Sequence, residues 1–540
     1  MKRNRLTYIM MIALCGALFS CSESFLDLKD NNHFTEKDFW KNKADAESAL
    51  SAAYSPVKFQ MDGYYGAFNG WLNLNSRGDD IFTVVGEEIA MWNIATFQNT
   101  PSTGQDPFGY LFTGIQRANV LLANLDKIPE SGISAEDRLM IKCEALTLRA
   151  FQYYLLVTNY GKVPLRLIPS NEDTPTREAA SEERIWLQIE DDLKAAIAGN
   201  LPVTRSANEK GRIEKGTAIA MLGKAYAAQH RYREAKDHLQ LLLEAPYTYE
   251  LMNNYADNFT TKAENNRESL FELQYSQDGR DTWGNEDGIN LGSSLPQFIG
   301  SVASGGWSKL MPSAYAVGRF VKELRPQGSD TKFDKRMYAS LFFDPQTYGD
   351  VAPNEKWYGG ALSMDELWSS NAPKMAGGAP AYSVNGAPGK FLLKKYTAYH
   401  VNERNADLMS SKEGKSNNVR VLRFAEVLLL YAEACAKTND VTGANYALGR
   451  IRQRAGLENK TFAQGQLMEE IEHQNLLEFF GEGHRFDDLK RWYSTAEIQR
   501  IFQANEKQGA GNFQEKHRYY PVPASELNAN GGMKQNPLWQ

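Results

Sequence analysis

Leu18-Phe19-Ser20-Cys21 is the stretch of this chain whose residue types most directly imply a reaction. Lys2, Arg3 and Arg5 form a basic segment ahead of it, and Leu6 to Phe19 is mostly apolar but too short to span a bilayer. A small residue before a cysteine at the end of such a run is the cleavage signal of bacterial lipoproteins. Cysteine is required there because its thiol is diacylated before cleavage and its freed amine is acylated afterwards. Residues 1–20 are therefore expected to be a signal peptide, with lipid attached at Cys21. Each buried methylene would contribute about 0.8 kcal/mol to anchoring. An ordinary secretory peptide with an incidental cysteine is the bland alternative.

Catalytic patterns are otherwise missing. No His-Glu-x-x-His, Gly-x-Ser-x-Gly or Cys-x-x-Cys occurs. Gly414-Lys415-Ser416 imitates the end of a phosphate loop, but Met409 stands where the first glycine is required. The seven histidines are scattered singly, without metal-ligand spacing. Carboxylates are abundant, and glycoside hydrolysis needs only two at the right separation, so an all-helical glycosidase stays open as a minor alternative. The expectation is a protein that is not an enzyme and needs no cofactor or metal.

Charge narrows the partners. The 540 residues carry a net charge of -6, and loss of residues 1–20 removes three cations and no anions, leaving -9. A nucleic-acid partner or electrostatic docking on anionic lipid calls for the opposite sign. Of four cysteines, Cys143 and Cys435 remain in the body, each among apolar helical residues. Buried free thiols fit them better than a disulfide framework.

The elements that position the rest are helices. Periodicity predicts a helix over Val421–Lys437, a turn at Thr438-Asn439-Asp440, and a second helix over Ala444–Arg454 ending at Gly456. Ala432, Cys435, Val441, Ala444, Leu448 and Ile451 are separated by 3, 6, 3, 4 and 3 positions, and Gly223, Tyr226, Tyr232, Ala235, Leu239 and Leu242 follow the same intervals. Two such copies indicate tetratricopeptide-like helical hairpins that must stack to bury their faces. Further helices are expected at Lys37–Ser55, Tyr110–Leu125, Ala135–Asn159, Glu182–Ala198 and Lys215–Leu243. The fold class is thus mainly α: a helical-hairpin scaffold with a large loop-rich insertion.

The expected layout is a lipidated tether over 21–36 and one domain over 37–540. Helical repeats occupy about 37–245 and 419–493, a loop-rich region about 246–418, and an extended tail 494–540. Within the loops, Glu268–Tyr275 is expected as a short strand, and Asn385-Gly386-Ala387-Pro388-Gly389 as a turn. Trp283, Trp307, Tyr315, Trp357, Tyr358, Trp368 and Tyr382 look like exposed aromatics.

Four stretches carry a family resemblance. They are Cys21 followed by Phe25-Leu26-Asp27, Leu148-Arg149-Ala150-Phe151 through Tyr160-Gly161-Lys162-Val163-Pro164-Leu165, and Arg423-Phe424-Ala425-Glu426 through Arg454-Ala455-Gly456-Leu457. The fourth is Glu482-Gly483, Arg485-Phe486, Asp488-Leu489 and Arg491-Trp492, followed by Pro521-Val522-Pro523 and Gln535-Asn536-Pro537. The chain resembles the SusD/RagB family of outer-membrane lipoproteins. The resemblance implies an extracellular, lipid-anchored binding partner of a SusC-like TonB-dependent transporter, which captures a glycan and passes it to the pore. One departure stands out: the family usually has several arginines before its Glu-Gly, where this chain has His473, Gln474 and Asn475. The Arg485, Asp488, Arg491 and Trp492 pattern is itself best taken as an ion-paired structural helix.

The resemblance also implies a shallow surface site built by two loop regions. Sugar rings present flat C–H faces that pack on indole and phenol rings, and their hydroxyls need amide, carboxylate or guanidinium partners. The candidates are Trp71, Arg77, Asp80, Trp92 and Asn93 from the early irregular stretch, with Trp283, Trp307 and Trp357 from the central one. Two alternatives stay open: a RagB-like peptide-binding lid, and a periplasmic lipoprotein whose repeats serve only as a scaffold.

Overall fold

The computed structural model describes residues 39–61, 72–84, 89–103, 107–276, 292–351, 356–372, 380–401 and 416–540, together with Met375 and Gly378. The signal peptide, Cys21, the tether, Trp71 and Trp283 lie outside the described residues.

Helices stack in chain order. Lys43–Met61 packs on Phe108–Asn124 and Ala135–Tyr160; the last packs on Glu182–Ala198, and that helix on Lys215–Ala228. Several starts are set by side-chain caps that satisfy otherwise orphaned amides: Ser134 accepts from the Asp137 N–H, Ser181 from Arg184 and Asp440 from Gly443. Tyr232–Leu241 then lies against Phe424–Lys437, which packs on Val441–Arg454 and Gln464–Glu478. The stack therefore runs straight across an insertion of about 180 residues, between Leu241 and Phe424.

The two hairpins are alike down to the backbone. His230 and Asn439 occupy the same repeat position and both take left-handed φ, at 59° and 60°. The Arg231 N–H reaches the Tyr226 carbonyl (2.9 Å) and the Asp440 N–H the Cys435 carbonyl (2.8 Å), the same six-residue closure of a helix end. Ala432, Ala444, Leu448 and Ile451 are fully buried, as are Ala235 and Leu239. A Cβ added to Gly223 would lie 2.6 Å from Leu239 Cγ, so the crossing requires glycine. Cys143 and Cys435 are buried free thiols.

Three expectations change. Val421 to Arg423 belong to a strand, Val419–Arg423, and the helix starts only at Phe424. That strand pairs antiparallel with Ser269–Leu273, and Phe424 donates to the Glu268 carbonyl at 2.7 Å. Tertiary pairing thus overrides helical periodicity at the point where the insertion rejoins the stack. The tail is not extended throughout: it holds helices Thr495–Ala504 and Ala524–Ala529. Ile498, Phe502 and Phe513 join Phe97, Phe486 and Leu489 in a second small core. The aromatics of the insertion mostly point inward, with Tyr358 and Tyr382 buried and Tyr315, Trp307, Trp357 and Trp368 half-buried. The expected turn is confined to Asn385 and Gly386, both with positive φ, because Ala387–Pro388 pairs as a short strand with Ser383–Val384.

The neck of the insertion is closed by buried charge. Arg423 donates to Glu268 (2.7 Å), Glu478 (2.9 Å) and Glu482 (2.7 and 2.9 Å), and Arg454 bridges Glu268 and Glu478. Arg336 binds Asp334 and Glu478 and also donates to Gln474 Oε1 at 2.7 Å. Gln474 therefore stands as an acceptor, and Arg336 reaches in from the insertion. Neighbouring His473 is kept neutral, its pKa pushed down to about 2 by burial and then by Arg319 and Arg336. Burial would lower the Arg423 pKa, but its carboxylates, Glu482 foremost, hold it well above the usual value.

Removing one partner from such a site leaves buried charge without compensation. Arg423→Met is expected to lower unfolding stability by about 3–5 kcal/mol. Gly223→Ala, which overpacks the hairpin crossing, should cost about 1–3 kcal/mol. Urea unfolding of the mature chain measures both.

Candidate functional site

Strand Ile81–Thr83 pairs antiparallel with Leu310–Pro312, placing Ile81 opposite Pro312 and Thr83 opposite Leu310. Val84 donates to the Lys309 carbonyl at 3.0 Å, and Ser313 to the Asp80 carbonyl at 2.9 Å. Two stretches more than 220 positions apart in sequence thereby form one edge. Trp307 sits just beyond that edge, its N–H on the Gln297 carbonyl at 2.7 Å. Its ring packs edge-on against Phe298, with centroids 5.0 Å apart, and Lys309 Nζ lies 5.5 Å from the ring centroid. The Gly305-Gly306 turn is tight enough that a Cβ on Gly306 would meet the Gly300 carbonyl oxygen at 2.2 Å.

Trp92 and Asn93 lie on the helix Ile89–Ala95, which is anchored by buried Met91, Ile94 and Ala95. Both are half-buried. Among the described residues Trp92 has no ring or cation contact, and the Asn93 side-chain amide makes no hydrogen bond. An indole face beside an uncommitted amide offers the two kinds of contact that a sugar ring needs.

Arg77 and Asp80 are placed differently, each only 3% exposed. The Arg77 guanidinium is sandwiched between the rings of Phe486 (4.0 Å) and Tyr520 (4.2 Å), and it donates to the His517 carbonyl. Asp80 lies beside Asp79, and Asp79 is held by Arg485 and Asn505. Both candidates therefore face the C-terminal segment rather than an open surface. A Gly/Asn/Asp-rich stretch looks exposed in sequence, and only the distant residues that cover it place it inside.

Trp357 is half-buried, with Phe342 edge-on at 4.9 Å between centroids and Lys394 Nζ 5.9 Å from its ring. It lines a hollow of about 600 Å³ with residues absent from the predicted set, among them Gln346, Thr347, Tyr348 and Lys356. The turn residues Asp344-Pro345 and Gly349 were the only sequence signal for that wall. Among the described residues, no group of three or more His, Cys, Asp or Glu side chains is placed to hold a metal ion.

Comparison with known proteins gives this architecture a family. A model described as "SusD family" matches residues 267–539, half of the chain. The chain belongs to the SusD family. A second model, described as "Starch-binding associating with outer membrane", matches residues 25–227. SusD-like protein P25 of Formosa agariphila is 24% identical over 98% of this chain and 97% of its own. The starch-binding protein SusD of Bacteroides thetaiotaomicron is 24% identical over 75% of this chain and 74% of its own. A SusD superfamily protein from Bacteroides vulgatus superposes with a TM-score of 0.76 at 26% identity, covering 92% of this chain and 99% of its own. The surface glycan-binding protein A of Bacteroides thetaiotaomicron, solved with laminarihexaose, superposes at 0.69 and 22% identity, covering 92% of this chain and 100% of its own. The family's helical scaffold with inserted loops is thus the fold of this chain.

Within this SusD-family fold the buried acid has a measurable consequence. Burial, then the charge of Asp79, raises the Asp80 pKa from 3.8 to about 7, against the opposing pull of Arg485 and Lys507. A carboxyl that holds its proton more tightly when folded makes stability fall as pH rises, here between about pH 4 and 7. Asp80→Asn should flatten that slope relative to the parent and gain up to about 4 kcal/mol above pH 7. Urea unfolding of both proteins at pH 4.5 and 8 reads the difference. Equal slopes would place the Asp80 titration elsewhere.

Proposed function

We propose that this chain is a non-catalytic, cell-surface glycan-binding lipoprotein of the outer membrane. Lipid at Cys21 anchors it, the loop-rich face captures an oligo- or polysaccharide, and a SusC-like TonB-dependent transporter receives the ligand. The single observation that carries the binding reading is Trp92 with Asn93: a half-buried indole and an amide uncommitted among the described residues, both on the helix Ile89–Ala95. Trp307, beyond the strand pair Ile81–Thr83 and Leu310–Pro312, supplies a second half-buried indole.

The comparisons support the ligand class. The second family model is described as starch-binding and associated with the outer membrane, and relatives of the same fold are a starch-binding SusD and a laminarin-binding protein. An outer-membrane position suits a chain whose described helices are none long and apolar enough to cross a membrane and whose first residues have the lipoprotein pattern. Surface exposure follows from the role: a polysaccharide too large to cross the outer membrane must be met outside it.

Affinity electrophoresis of residues 22–540 in gels of neutral and acidic polysaccharides, with peptide binding followed by calorimetry, tests the reading. Retardation by a glycan is expected, with Trp92→Ala and Trp307→Ala each weakening it about tenfold or more. Retention of peptides alone would replace the glycan with a peptide cargo.

A further inference from the structure

The hollow beneath Trp357 lies apart from the Trp307 edge. It opens between the strand pair Leu341–Phe342 and Leu392–Leu393, the turns Pro345–Tyr348 and Trp357–Gly360, and the start of the helix Met364–Asn371. About 600 Å³ falls within the range of small-molecule sites, ~300–1,000 Å³.

Its wall is built rather than incidental. Tyr358 follows Trp357 in a left-handed conformation (φ 50°, ψ 48°), which is sterically costly for an aromatic residue. The fold holds it there: the Tyr358 ring is fully buried, its N–H donates to the Tyr399 carbonyl at 2.8 Å, and its hydroxyl to the Thr397 carbonyl at 3.0 Å. The reversal sends one aromatic inward and leaves its neighbour Trp357 half-buried against the hollow. Lys394, 1% exposed and itself part of the lining, donates to the Tyr338 carbonyl at 2.6 Å, with its Nζ 5.9 Å from the Trp357 ring centroid.

The polar groups around the opening are mixed in sign. Lys390 pairs with Asp365 at 2.8 Å, and Asp344 accepts from Thr347 Oγ1 and the Gln346 N–H, both at 3.0 Å. Lys356 and the Gln346 side chain are exposed and make no hydrogen bond or ion pair among the described residues. A polyanion would call for a cluster of unpaired cations, and among the described residues of this opening only Lys356 is one. Donors and acceptors interleaved beside an indole face suit a neutral polyhydroxyl chain.

Position links the hollow to the rest of the face. Residues at the start of Met364–Asn371 line it, while the other end of that helix carries the turn leading to Trp307. Ser301 Oγ donates to the Leu367 carbonyl (3.0 Å), Ala303 N–H to Ser370 Oγ (2.9 Å) and Val302 N–H to Asn371 Oδ1 (3.0 Å). Eight helical residues span about 12 Å, a distance that an oligosaccharide of several rings covers.

We propose that the hollow is a second saccharide subsite, which takes a short stretch of a neutral glycan. A ring packs on Trp357, and hydroxyls bond Lys356, Gln346 and the Asp365 carboxylate. The proposal rests on the glycan reading above.

Calorimetric titration of residues 22–540 with oligosaccharides of increasing length tests it, using neutral α- and β-glucans and mannans against oligouronates. The proteins are the parent, Trp357→Ala, Lys356→Ala, Gln346→Ala, Trp307→Ala and the Trp307/Trp357 double variant. Trp357→Ala should weaken binding of long neutral oligosaccharides about tenfold, and the two rim variants about three- to tenfold. The losses of Trp307→Ala and Trp357→Ala should multiply in the double variant. Lys356 and Gln346 are exposed, so their effects survive any folding defect in Trp357→Ala, which thermal melting identifies. A parent that binds glycan with Lys356→Ala, Gln346→Ala and Trp357→Ala all unchanged overturns the subsite and leaves the glycan reading standing. A parent that binds only oligouronates, and loses them in Lys356→Ala, overturns the neutral assignment. A parent that binds no glycan removes the glycan reading and the subsite with it.

Discussion

Buried charge at the neck of the insertion is the constraint on which this molecule depends. Glu268 precedes one strand of the neck and Arg423 ends the other, while Arg454 and Glu478 come from helices of the second hairpin region. Arg336, Asp334 and Lys395 arrive from the insertion, and Lys395 donates to Glu482 and to the Phe480 carbonyl. Buried ions are tolerated only when each finds its partner, so this cluster admits essentially one way of seating the insertion on the helices. Burial lowers the Lys395 pKa to about 8, yet Glu482 pulls the other way. The hydrophobic stack supplies bulk stability, and the ions specify which loops sit where.

That division of labour suits a binding protein. The helices bury a continuous core, and Lys224 reaches Glu426 at 2.7 Å to tie the first hairpin to the second across the break in sequence. On such a base, long loops keep defined positions without regular secondary structure of their own. Trp307 is set by a glycine turn and a two-stranded edge, and Trp357 by a strained neighbour held on two carbonyls. On the proposed glycan reading, aromatic faces fixed in this way lose little freedom when a ligand arrives, which favours recognition of flexible chains.

Much of the scaffold could be recognised from the chain alone. The repeat intervals, the bounds Glu182–Ala198, the stop at Gly456 and the buried thiols all follow from local rules of periodicity, capping and composition, and the structure reproduces them. The site was less legible. Trp92, Asn93, Trp307 and Trp357 are half-buried, whereas Arg77 and Asp80 are enclosed by residues 485–520, which no local pattern connects to them. Tyr358 and Tyr382 looked exposed because they sit among glycine, proline and serine, but ring packing and carbonyl contacts draw them in.

The sequence by itself determined the helical hairpins, their order and the break between them, because each depends on residues a few positions apart. Membership of the SusD family was likewise written in stretches of contiguous residues. Only the tertiary structure decided that the second hairpin's entry is a strand, since Val419–Arg423 responds to Ser269–Leu273, about 150 residues away. It alone decided which aromatics face a hollow and which fill the core, because that choice is made by burial and ion pairing between distant segments.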